Sequence, residues 1–64
     1  MNIKFDKEAD AIYLRFSDAE ISESDEDKPG IVIDYDKKGN LVGIEVLEAS
    51  KKIGKPGSVV YELV

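Results

Sequence analysis

Residues 31–46, Ile-Val-Ile-Asp-Tyr-Asp-Lys-Lys-Gly-Asn-Leu-Val-Gly-Ile-Glu-Val, hold two alternating apolar runs around one polar turn. Alternation with period two is the signature of a strand with one buried face. Ile31, Ile33 and Tyr35 share a face of the first run, and Val42, Ile44 and Val46 share a face of the second. Both sets reach one core if Ile31 lies opposite Val46, Ile33 opposite Ile44 and Tyr35 opposite Val42, leaving residues 37–40 as the loop. A one-residue slip would turn Asp34, Asp36 and Glu45 inward, at a cost of several kcal/mol for each unpaired carboxylate, roughly. Asp36 opens the turn with a side chain that accepts backbone donors. Gly39 and Asn40 tolerate positive φ, so a loop built on a type I turn is expected, with Gly39 at positive φ.

The opening of the chain repeats this pattern at an offset of thirty residues: Ile3 falls on Ile33, Phe5 on Tyr35, Asp6 on Asp36, Lys7 on Lys37, Ile12 on Val42 and Leu14 on Ile44. Turn chemistry and both alternations agree at one offset, which suggests two copies of one hairpin. By analogy Phe5 pairs with Ile12 and Ile3 with Leu14. If the second of these four strands lies beside the third, Lys4, Tyr13, Arg15, Asp34 and Glu45 share the outer face, either as a polar binding surface or as an ordinary solvated sheet face.

Between the hairpins, residues 18–30 keep only Ile21 as a large apolar side chain. Asp18, Glu20, Glu23, Asp25, Glu26 and Asp27 crowd this stretch, and by composition it is an acidic loop, expected to be mobile over residues 22–28. Its carboxylates lack the central glycine and terminal glutamate of a calcium loop. After Val46 the period changes. Residues 48–53 carry helix formers, with lysines in the last turn and Gly54 beyond them, so a short helix is expected there, docked on the face of Ile33 and Ile44. Residues 54–57, Gly-Lys-Pro-Gly, link to a last segment in which Val59, Val60, Tyr61, Leu63 and Val64 surround a single charge, Glu62. That segment is a candidate C-terminal strand. It is expected to pair, because an exposed apolar edge recruits other chains.

Sixty-four residues make a single domain, and a chain of this size buries only about 60% of the surface its unfolded form exposes. With neither Cys nor His it has no disulfide, and it lacks the commonest transition-metal ligands, so association is the support left to it. No apolar run approaches the roughly 20 residues of a membrane span, and the opening residues do not read as a secretory leader. A cytoplasmic location is expected. Fourteen acids against nine bases give a net charge of -5, which repels phosphate backbones and anionic lipid. No catalytic, cofactor-binding or metal site is expected. Asp34, Asp36 and Glu45 offer carboxylates, and Tyr13 or Arg15 a donor, but one face of a small sheet seldom supplies the cleft an enzyme needs.

The strings Asp6, Glu8-Ala9-Asp10-Ala11, Tyr13-Leu14-Arg15, Pro29-Gly30, Asp34-Tyr35-Asp36, Gly39-Asn40-Leu41-Val42-Gly43-Ile44-Glu45 and Ala49-Ser50-Lys51 resemble the YuzE-like family of small prokaryotic domains of unknown function. The resemblance runs from Met1 to about Ile53, and this chain has Lys7 where the family often has Pro. It implies an antiparallel sheet with a short helix and no established activity. It also implies an antitoxin-type partner role, since some relatives are thought to be encoded beside small toxin-like proteins. Residues 54–64 lie outside the resemblance. The expected fold is therefore α+β: two similar antiparallel hairpins, one short helix on one face and a C-terminal strand. The expected function is protein interaction, with a basic protein as partner or with a second copy in a homodimer.

Overall fold

The computed structural model describes all residues, 1–64. It is a five-stranded antiparallel sheet in the order β1-β2-β5-β4-β3, formed by β1 (Asn2–Asp6), β2 (Ala11–Arg15), β3 (Glu23–Lys28), β4 (Ile31–Tyr35) and β5 (Leu41–Leu47), followed by one short helix, α1 (Ala49–Lys52). Pairing begins as the alternation requires. Ile3 faces Leu14 and Phe5 faces Ile12 across β1 and β2, while Ile31 faces Val46 and Ile33 faces Ile44 across β4 and β5.

The second hairpin departs from strict alternation at its turn. A bulge between Asp34 and Tyr35 sets Tyr35 opposite Leu41 instead of Val42. Asp36 is the cause. Its Oδ1 accepts the backbone N–H of Lys38 and of Asn40, both at 2.9 Å, and its own N–H donates to the Asn40 carbonyl at 2.9 Å. The loop therefore closes between Asp36 and Asn40 and keeps residues 37–39, one residue fewer than expected, with Gly39 at φ 81°. The donated hydrogen bonds, that of Asn40 foremost, hold the Asp36 carboxyl below its ordinary range. Val42 is left to turn fully inward, and its carbonyl accepts the N–H of Phe16 at 2.7 Å. In the first hairpin Asp6 Oδ1 likewise accepts from Glu8 and Ala9, but positive φ falls on Asp10, at 52°.

Two expectations about the sheet are corrected. The acidic segment is not a loop: Glu23–Lys28 forms the edge strand β3 on β4, although all six residues are exposed. Backbone pairing offered by β4 outweighs the segment's own polarity, since an edge strand can leave both faces to water. Ser24 and Glu26 add anchors, Ser24 Oγ donating to Asp34 at 2.6 Å and the Gly30 N–H donating to Glu26 at 2.9 Å. The sheet is therefore a β1–β2 hairpin joined to a β3–β4–β5 meander, and the join runs through β2 and β5 rather than placing β2 beside β4.

The second correction concerns the last segment, which forms no strand. Val59, Val60, Tyr61 and Leu63 are 57 to 90% exposed, and the segment lies along neither free edge of its own sheet.

The helix is shorter than residues 48–53 and is started from a distance. Asp10 accepts the N–H of Ala49 on its carbonyl, and its carboxylate accepts both the N–H and the hydroxyl of Ser50, at 3.0 and 2.6 Å. Glu48 enters in the left-handed region at φ 51° and pairs with Lys51 at 2.9 Å, which lowers the glutamate's pKa and raises the lysine's. Four residues span only about 6 Å of helix, and they bury Ala49 alone. Ile33 and Ile44, expected in the core, are consequently only half-buried. Ile12, Val42 and Ala49 are the buried apolar side chains.

Candidate functional site

Cross-strand partners share a face, so the registers sort the side chains into an inner and an outer set. The outer face carries Lys4, Tyr13, Glu45 and Val32 in one row and Asn2, Arg15, Gly43, Asp34 and Ser24 in the next. All five residues singled out for this face from the alternation are on it. They do not form a solvated array of ion pairs, because the one ion pair in the structure is Lys51 with Glu48, near the helix.

At the centre of the outer face is Asp34, only 8% exposed. Its two oxygens accept from two different strands: Oδ1 from Ser24 of β3 at 2.6 Å, and Oδ2 from the Tyr13 hydroxyl of β2 at 3.2 Å. Tyr13 is two strands away, with β5 between, and it crosses β5 at Gly43. A Cβ at Gly43 would lie 2.7 Å from the Tyr13 hydroxyl oxygen and 2.9 Å from the Leu14 carbonyl. Glycine is therefore what lets the phenol lie across the strand. Ser24 and Gly43 were not anticipated as parts of this cluster. A glycine inside an otherwise alternating strand was the available signal, since it marks close approach of another group.

Arg15 is also committed. Its Nε donates to the Ser17 carbonyl at 2.9 Å and its Nη2 to the Ala19 carbonyl at 3.0 Å, so it ties down the crossing from β2 to β3. The chemistry of this face is thus internal. A carboxylate with both oxygens taken by hydroxyl donors links β2, β4 and β3. A recess of about 380 Å³ between Ile21 and the β4–β5 turn, lined also by Asp36, Lys37 and Lys38, is open and has Ile21 as its one apolar residue, unlike the enclosed apolar pockets that hold small ligands.

The inner face is the opposite case. Phe5, Leu14, Phe16, Ile31, Ile33, Tyr35, Ile44 and Val46 are half-buried and Ile3 is 43% exposed, leaving apolar surface open across the sheet. The β3 edge beside it presents Glu23, Asp25, Glu26 and Asp27 to solvent.

No group of three or more metal-ligating side chains is gathered anywhere, and no helix is long and apolar enough to cross a membrane. A family model described as a protein of unknown function (DUF2283) matches residues 2–50, from the first strand into the helix. No curated protein and no solved structure matches the chain.

Proposed function

The chain belongs to the DUF2283 family of proteins of unknown function, and we propose that it is a protein interaction module with no reaction of its own. The observation that carries this is the open inner face: a five-stranded sheet whose helix buries a single alanine leaves its apolar side to be covered by something else. On the other face the one buried carboxylate, Asp34, uses both of its oxygens to tie strands of its own sheet together.

Charge favours a basic protein as the partner. The unpaired edge of β3 carries four carboxylates against Lys28, an arrangement that repels a second copy of itself and steers a cationic chain toward the edge. An acidic, antitoxin-type partner, as the YuzE-like resemblance implies, is one form of this reading.

Isolation of the tagged chain from its native cells at low and at high salt tests the proposal. A stoichiometric basic polypeptide should co-purify at low salt, be weakened by high salt, and be lost when Asp25 and Glu26 are changed to Asn and Gln. Recovery of no second polypeptide under any of these conditions would refute the basic-partner reading.

A further inference from the structure

The last segment carries five of the large apolar side chains that the fold leaves exposed. Val59, Val60, Tyr61, Leu63 and Val64 are all well exposed. The molecule as a whole has more surface than its mass warrants: 5152 Å², against about 4,100 Å² for a compact monomer of this size. The excess, roughly 1,000 Å², exceeds the about 800 Å² that each partner contributes to a standard interface.

The sheet has two free edges, and they differ in charge. The β3 edge holds Glu23, Asp25, Glu26 and Asp27, which repel Glu62. The β1 edge holds Lys4 flanked by Ile3 and Phe5. We propose that residues 59–64 of one copy add to the β1 edge of a second copy as an antiparallel strand, with Glu62 opposite Lys4. This goes beyond the interaction reading above: the site is the β1 edge, apart from the inner face and the β3 edge, and its occupant is a second copy of the chain.

The register is fixed by alternation once Glu62 faces Lys4. Tyr61 then falls opposite Phe5 and Leu63 opposite Ile3, extending the inner-face rows that continue through Ile12 and Leu14. Glu62 and Lys4 meet on the outer face, where both stay in contact with water. A one-residue slip would set Glu62 against Ile3 or Phe5 on the apolar side. Antiparallel addition continues a sheet in which every existing pair is antiparallel. Gly54 and Gly57 have open space around them and let the linker swing away from its own sheet. Reciprocal exchange of the two segments closes a two-fold dimer and satisfies both β1 edges.

Charge reversal separates exchange between chains from return to the same chain. Light scattering at matched concentrations would compare wild type, Lys4→Glu, Glu62→Lys, and an equimolar mixture of the two variants, with circular dichroism confirming that each is folded. Wild type should be dimeric, and each variant alone should self-associate about tenfold more weakly, because like charges then face each other at both edges. Mixing the two variants should restore the dimer, since every reversed edge then meets a tail of opposite charge. A wild type that stays monomeric at high micromolar concentration, variants that dimerise as well as wild type, or a mixture that fails to recover would each overturn the proposal. A monomer that still captures a basic polypeptide from its native cells would overturn this dimer alone and leave the interaction module standing.

Discussion

Gly43→Ala is expected to destabilise the domain by about 2–4 kcal/mol, a large share of what a chain this small can hold. The added methyl has nowhere to go. It would sit 2.9 Å from the Leu14 carbonyl, which belongs to the neighbouring strand and cannot swing aside, and 2.7 Å from the Tyr13 hydroxyl oxygen. Moving the phenol breaks its bond to Asp34 and leaves a nearly buried carboxylate with Ser24 as its sole side-chain donor. Tyr13→Phe is the control, because it removes the hydroxyl without crowding β5, and it should cost only about 1 kcal/mol. Urea unfolding of both variants measures the difference. Equal midpoints would mean that the close approach at Gly43 does not matter to stability.

Ile12→Ala is expected to cost about 2–5 kcal/mol, and Ile44→Ala less than half as much. Both isoleucines belong to the inner face, yet only Ile12 is covered. It is 5% exposed, lies between Phe5 and Val46, and leaves a cavity when truncated, whereas Ile44 already meets solvent and its loss can be filled by water. The same urea experiment reads this contrast. A greater loss at Ile44 would place the core further along the sheet, under a covering element that the isolated chain does not possess.

Much of the sheet was legible because alternation is a strong constraint when one face is apolar. It set the pairs Ile3 with Leu14, Phe5 with Ile12, Ile33 with Ile44 and Ile31 with Val46, and it placed Tyr13 and Asp34 on one face. Asp36 and Gly39 announced their turn for the same kind of reason, a side-chain acceptor followed by a residue free to take positive φ. Alternation is silent where a strand owes its conformation to a neighbour. Glu23–Lys28 has no apolar period at all, and only the edge of β4 makes it a strand. Nor does local pattern record contacts at long range: Asp10 starts a helix forty residues away, and Tyr13 passes over Gly43 to reach Asp34. The last segment shows the converse. It has the composition of a strand but lies along neither free edge of its own sheet, and composition without a paired edge makes no strand.

Methyl-resolved NMR with a soluble paramagnetic agent reads whether the apolar sheet face and the apolar tail are open in the lone chain and covered on association. In dilute solution the methyl groups of Ile3, Leu14, Ile44, Val59 and Leu63 should be broadened by the agent, while those of Ile12 and Val42 are protected. As concentration rises toward the dimer, Ile3, Val59 and Leu63 should become protected together. Methyl groups of the inner face that are already shielded in the dilute monomer, or a tail that stays broadened at every concentration while the protein associates, would contradict the account.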